Sequence, residues 1–166
     1  MLEVEGVRVA RPEDYDRIVA VVDDWWGRPV RPSLPRLFLY HFWSTSRVAE
    51  DDQGLAGFLV AFVSPAQPQV GYVHFAGIRP DHRKSGLGRQ LYEEFANLAR
   101  SQGCTELRAI TAPENLESIR FPPEPRLLGQ RAGAGLQRPG SRHGHLLASA
   151  GLDPQQPVAD RLRDGT

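Results

Sequence analysis

The stretch "HFAGIRPDHRKSGLGRQLYEEF", His74 to Phe95, decides how the chain is built. It opens as a strand that runs to Ile78, Pro80 breaks the strand, and a loop rich in charge and glycine leads straight into a helix. Leu87, Leu91, Phe95 and Leu98 recur at three- and four-residue spacing, which gives that helix one apolar face, and Gly103 ends it. Strand, glycine turn and helix N-terminus in that order suit an anion. The first N–H groups of a helix have no partner within it and carry the positive end of its dipole. Glycine at 86 and 88 lets the backbone approach phosphate oxygens where a side chain would stand in the way. Arg83 and Lys84 add charge, although a solvated loop would carry the same cations.

Spacing excludes two nucleotide motifs that use such a turn. A dinucleotide fingerprint needs a third glycine three residues after Gly88, where this chain has Leu91, and it belongs earlier in a chain. A P-loop needs Gly-Lys-Ser/Thr after four spacers, whereas Ser85 here precedes Gly86.

Outward from this core, "RVAEDDQGLAGFLVAFVSPAQPQVGYVHFAGI" reads as a three-strand antiparallel meander, with turns at Asp51 to Gly54 and Ser64 to Gln69. Further upstream, alternation around Val7 and Val9 predicts a strand. Ile18, Val21, Val22 and Trp25 then predict a helix, with Pro12 near its first turn. Leu34, Phe38 and Phe42 predict a second short helix that starts near Ser33. Downstream, "TELRAITA" is another strand and "PENLESIRF" a loop and a short helix. The order is strand, helix, helix, three strands, helix, strand, helix, which describes an α/β domain on a mixed sheet.

The 166 residues fit one domain able to bury a core without metals or disulfides, and the single cysteine, Cys104, fits a reducing compartment. Met1 to Val9 mixes acids with apolar residues, unlike a signal peptide, and no run reaches the length of a membrane span. A cytoplasmic protein is the expectation. A formal net charge of +0 offers no general attraction for nucleic acid or an anionic membrane, so a small molecule or peptide is the expected substrate. Only Lys84 of the 20 basic residues is lysine, a bias expected of a GC-rich gene.

The loop as it stands, Arg83-Lys84-Ser85-Gly86-Leu87-Gly88, with Ile78 and Pro80 before it and Leu91 after it, resembles the acyl-CoA loop of the GNAT superfamily of N-acetyltransferases. "DDWWGRPV" upstream and "TAPENLESIRF" downstream extend the likeness over about residues 5–121. The resemblance implies a GNAT-like fold, a mixed and mostly antiparallel sheet flanked by helices, that moves an acetyl group from acetyl-CoA to a primary amine by direct attack in a ternary complex. It implies that backbone N–H groups from Arg83 through Lys84, Ser85, Gly86 and Leu87 to Gly88 hold the pyrophosphate. The strand end Ala76, Gly77 and Ile78 would pair with the pantetheine arm, and Asn115 would hydrogen-bond it. Asn115 also suits a helix N-cap. No metal is implied, and a homodimer stays open.

Acetyl transfer needs a base for the amine, an oxyanion donor and an acid for the departing thiolate. His74 is the candidate base: strand alternation puts it on the face of Ala76 and Ile78, and imidazole titrates near neutrality. A satisfied strand histidine is the competing reading. A backbone N–H near Gly77 or Ile78 is the natural oxyanion donor. Asp23, Asp24, Trp25 and Trp26 close the first helix, and the resemblance places the acceptor here. Asp24, Trp25 and Trp26 would form its walls, with one Trp expected in the core. Tyr40 and His41 are further candidates for the pocket. Cys104 lacks an adjacent base and reads as structural.

After Phe121 the pattern stops. Relatives of the GNAT type continue with an aromatic acid and two more strands, but here Pro122 and Pro123 end the helix. Residues 122–166 contain no aromatic residue and no isoleucine, and Ala, Gly, Pro and Arg make up more than half of them. Such a segment is not expected to supply packed strands. The domain therefore ends near residue 121, followed by a low-complexity tail with the last strands missing or disordered. The tail is either natural or the product of a shifted reading frame. Read one base later in GC-rich codons, "PPEPRLLGQ" permits His-Arg-Ser-Leu-Gly-Phe-Ser-Val, which restores the missing motif. An inert acyl-CoA binding module and a decayed acetyltransferase are the alternatives to an active enzyme.

Overall fold

The computed structural model describes residues 6–111 and 146–151. Six strands form one sheet in chain order: β1 (Gly6–Val9), β2 (Arg47–Asp51), β3 (Gly54–Val63), β4 (Val70–Ile78), β5 (Glu106–Thr111) and β6 (Leu146–Gly151). Every neighbouring pair is antiparallel except β4 and β5, which run parallel. Helix α1 (Asp14–Trp26) and the short α2 (Leu37–Phe42) connect β1 to β2. Helix α3 (Leu87–Ser101) is the crossover that a parallel pair requires. As far as β5 the strand, helix and turn order follows the sequence expectation, and two differences stand out.

The second helix begins at Leu37 rather than near Ser33. Residues Arg31–Ser33 make a 3-10 turn, and Leu34 then adopts φ −122° and ψ 71°, because Pro35 disfavours the helical region for the residue before it. Leu34 is fully buried all the same, and its carbonyl accepts a bond from the Tyr15 hydroxyl at 3.1 Å. The second difference is β6. Its six residues pair antiparallel with all of β5, from Glu106 opposite Gly151 to Thr111 opposite Leu146. One strand thus comes from the segment whose composition predicts none.

Two apolar layers hold the sheet. On one face α3 packs Leu87, Leu91, Phe95 and Ala99 against Ala49, Leu59, Ala61 and Val73. On the other, α1 and α2 pack Ile18, Val22, Trp25 and Leu39 against Val48, Phe58 and Val60. Burying each such side chain fully contributes about 1.5–3 kcal/mol. At the N-terminal end, Arg8 holds Asp14 with two bonds of 2.8 Å and Glu50 with one of 2.7 Å, and Arg17 also reaches both acids. This network ties β1, the start of α1 and β2 together.

Candidate active site

The parallel pair is where the site begins. β4 and β5 stay paired only from Val70 opposite Glu106 to Val73 opposite Ala109. Just there β4 carries a bulge: Val73 lies opposite Ala61 of β3 and Phe75 opposite Val60, which leaves His74 without a partner. An extra residue bends its strand and increases the local twist, and past the bulge β4 parts from β5. Arg79 N–H donates to the Ala56 carbonyl at 2.9 Å. By the alternation of an antiparallel ladder, Gly77 also exchanges its bonds with β3, while Ala76 and Ile78 turn their N–H and C=O toward the fork. An extended ligand can add there as a strand does. Of the two oxyanion positions expected from sequence, Ile78 faces the fork and Gly77 does not.

The loop after β4 forms the closed end of the fork. Pro80–His82 is a 3-10 turn, Lys84 has φ 64° and Gly86 has φ 91°. Left-handed residues set among right-handed ones turn successive N–H groups inward, the geometry of an anion nest. Four of the loop's N–H groups are engaged: His82 with the Arg79 carbonyl at 2.9 Å, and Arg83 with the Pro80 carbonyl, Ser85 with the His82 carbonyl and Leu87 with Ser85 Oγ, each at 3.3 Å. Those of Lys84, Gly86, Gly88 and Arg89 meet no acceptor among the described residues. A Cβ on Gly88 would lie 3.6 Å from Ile78 Cγ1, an ordinary contact. Packing among the described residues therefore does not demand glycine at 88 and leaves the space beside it open to a ligand. The Arg83 guanidinium donates to the Trp25 carbonyl at the end of α1, a favourable place for a cation.

Beneath the loop lies a cluster that sequence reasoning missed. The Asp51 side chain is wholly buried at the end of β2. Its carboxylate accepts from Arg79, from Gln53 N–H at 2.9 Å and, at 2.8 Å, from Nε2 of the buried His82. The Arg79 guanidinium, together with the His82 ring N–H, holds the Asp51 carboxyl well below the usual carboxylate range. Asp51 reads as a turn residue, and Arg79 and His82 as spacers in a motif. No sequence pattern links position 51 to position 82.

The bulge also corrects the placement of His74. Strict alternation would put it with Ala76 and Ile78, which pack on the α3 side. The extra residue instead turns it to the α2 side, where its ring stacks on Phe38 at 3.8 Å and 10°. His74 Nε2 lies 2.7 Å from the Ser33 carbonyl. A carbonyl only accepts, so Nε2 carries the proton and Nδ1 holds the lone pair. Burial pushes the His74 pKa down, against the opposing pull of the Ser33 carbonyl, so the ring is neutral near pH 7.

Of the two tryptophans, Trp25 belongs to the core: it is 8% exposed and stacks on Phe58 at 6.0 Å. Trp26 lies over β4 with its ring 4.8 Å from that of Phe75. It packs so tightly on Gly77 that a Cβ there would come within 2.9 Å of Trp26 Cζ3 and 2.5 Å of Phe58 Cε1. Asp24 is exposed near the end of α1. The Asp23 carboxylate accepts from Val30 and Arg31 N–H at 2.8 Å each and so fixes the turn after α1. Tyr40 and His41 face solvent, with Arg36 over the Tyr40 ring at 5.8 Å. Cys104 is buried with its thiol pushed up by burial, an unreactive state. On α3, burial pushes the Tyr92 phenol up to about 12, so it stays a donor at neutral pH. Asn115 and the loop and short helix expected from "PENLESIRF" lie outside the described residues. Among the described residues no three or more potential metal ligands cluster, and no helix is long and apolar enough to cross a membrane.

A mixed sheet that forks at its parallel pair, with a glycine turn and a helix N-terminus closing the fork, defines the acyl-CoA N-acyltransferase fold. The model described as "Acetyltransferase (GNAT) family" matches residues 14–124, and the chain belongs to that family. It is 29% identical over 83 residues to the L-2,4-diaminobutyric acid acetyltransferase of Nocardia farcinica. That match covers 50% of this chain and 43% of the relative, so the chain spans less than half the relative's length. Among solved structures, the diaminobutyrate acetyltransferase EctA of Paenibacillus lautus, in complex with L-2,4-diaminobutyric acid and coenzyme A, superposes with a TM-score of 0.58. Identity there is 24%, over 72% of each chain. YncA of Salmonella typhimurium, a putative acetyltransferase with acetyl-CoA, gives a TM-score of 0.60 at 17% identity over 92% of this chain and 96% of that one. At these identities the likeness concerns the fold.

Proposed function

We propose that the protein transfers the acetyl group of acetyl-CoA to a primary amine of a small molecule or peptide. The observation that carries this reading is the fork: an open strand edge at Ala76 and Ile78 leads into a turn whose Lys84, Gly86 and Gly88 N–H groups lack acceptors among the described residues. A pantetheine arm fits the first and a pyrophosphate the second. Arg83, Ser85 and Leu87 then shape the turn, since their own N–H groups are engaged. Asn115 is assigned to the pantetheine arm.

In the proposed step the amine nitrogen attacks the thioester carbonyl within the ternary complex. The oxyanion is met by the Ile78 N–H, the C–S bond breaks, and the amine's proton passes to His74 Nδ1, directly or through water. The thiolate leaves and takes a proton from solvent. Asp24 and Trp26 line the acceptor side, where a carboxylate and an aromatic face suit a cationic amine; Trp25 supports them from the core. The names of two relatives make 2,4-diaminobutyrate the acceptor to try at the outset. The protein is assigned to the cytoplasm, with no metal, nucleic acid or membrane in its chemistry and with a homodimer as an open arrangement.

The test is release of free CoA from acetyl-CoA in the presence of a panel of amines, with CoA binding followed by calorimetry. Amine-dependent release supports the enzyme. Binding without release, on every amine, points to an inert acyl-CoA module, which the lost aromatic acid after Phe121 also favours. Absence of both defeats the reading.

For the chain beyond residue 121 the proposed account is a shifted frame. The family match ending at residue 124 supports it, and the β6 pairing weighs against a wholly unpacked tail. Sequencing the gene across the codons for Phe121 and Pro122 decides: an inserted or missing base confirms the shift, and an intact frame removes it.

A further inference from the structure

The geometry points to Asp51 and His82 as positioning residues that set the shape of the pyrophosphate cradle from below, and so fix the preference for acyl donors bearing a pyrophosphate. This inference rests on the proposed acetyl-CoA reading. Neither residue is offered as a contact to the cofactor, because the Asp51 side chain has no solvent exposure and His82 is 4% exposed.

Asp51 stands at the turn between β2 and β3, opposite Gly54, and its carboxylate accepts from His82 Nε2 at 2.8 Å. The main-chain carbonyl of His82 in turn accepts from Ser85 N–H at 3.3 Å and from Ser85 Oγ at 2.6 Å. Ser85 Oγ then accepts from Leu87 N–H, at the first residue of α3. A hairpin on the far side of β4 is thereby tied to the start of the helix whose free N–H groups face the ligand.

Such a tie is needed because of the loop's own strain. Lys84 holds a left-handed conformation at φ 64° without being glycine. A sparsely populated backbone state persists only where neighbours over-determine it. Lys84 sits between His82 and Ser85, the two residues that the chain of bonds immobilises. Arg79 completes the arrangement by pairing with the same carboxylate, donating to the Leu55 carbonyl at 3.1 Å and to Asp81 at 2.8 Å. With its charge matched, Asp51 does not repel the incoming anion.

Two variants test the inference. Asp51→Asn keeps the shape and removes the charge; His82→Gln keeps a donor of different reach and leaves the Asp51–Arg79 pair in place. Each is assayed with acetyl-CoA and with S-acetylpantetheine, which carries the thioester and arm without the pyrophosphate. The expected result is a KM for acetyl-CoA raised about tenfold or more, with kcat within twofold and kcat/KM for S-acetylpantetheine unchanged. A parallel loss on both donors marks a general structural defect and overturns the inference, as does an unchanged KM for acetyl-CoA in folded His82→Gln. Should Asp51→Asn fail to fold, His82→Gln alone decides. Wild-type protein that neither binds CoA nor turns over acetyl-CoA defeats the function on which this rests; active wild type with unaffected variants defeats only the positioning role.

Discussion

Gly86 and Gly88 stand two residues apart in one motif, yet they are glycine for different reasons. Gly86 is required by its own backbone at φ 91°, where a Cβ is strained by about 1–2 kcal/mol. Gly88 lies in the first turn of α3 with ordinary room for a methyl group, where alanine would favour the helix by about 0.5–1 kcal/mol. Gly86→Ala should therefore lower both stability and CoA affinity, whereas Gly88→Ala should keep or raise the urea midpoint while CoA affinity falls. Equal CoA affinity in Gly88→Ala, measured by calorimetry, would show that the space beside residue 88 is not used. His74 offers a second test at this scale. Because burial depresses its pKa, its base form persists below the ordinary histidine value of about 6.5. The acid limb of kcat/KM should lie below that value and vanish in His74→Phe; a limb that survives moves the base elsewhere. The same depression ties stability to pH. As pH falls from about 6.5 through the lower folded pKa, the unfolded chain takes up the proton before the native one and the contribution of His74 is lost.

At the scale of elements, the bulge in β4 opens the fork. Its register on β3 is unusual in one useful respect: Val73 and Phe75 face consecutive residues, Ala61 and Val60. Deleting His74 would thus leave every other side chain of β4 on its present face while removing the bend. The expected product is a folded protein in which β4 continues beside β5 and CoA binding is lost; a deletion variant that still binds CoA would show that the fork has another cause. This element also marks the limit of what the sequence discloses. The apolar spacing of α3, the break at Pro80 and the turn at Gly86 are visible in the residues, because each is a local preference. The bulge is not, since "GYVHFAGI" reads as an unbroken strand, and simple alternation then assigns His74 to the wrong face. The late start of α2 is legible in Pro35, but the spacing of Leu34, Phe38 and Phe42 points to an earlier one. The bond from His82 to Asp51 spans 31 residues and depends on two strand ends meeting, which no short pattern encodes.

For the molecule as a whole, β6 is the element that composition least foretells. It occupies the outer side of β5 and pairs along its whole length. An open strand edge invites pairing with another chain. A chain ending at Phe121 should accordingly melt at a lower temperature and elute from a sizing column as larger species. Unchanged melting and elution would mean that β6 contributes nothing to the domain and that its boundary does lie near residue 121.

Lys84, held left-handed at the centre of the cradle, is the only lysine among 166 residues. Amine-reactive reagents therefore have one side chain to label, apart from the main-chain amino terminus, and it stands beside the loop on which a pyrophosphate would rest. A lysine-directed tag read by mass spectrometry becomes a single-site footprint of cofactor occupancy: incorporation at Lys84 should slow when CoA is added and stay constant when pantetheine is added instead.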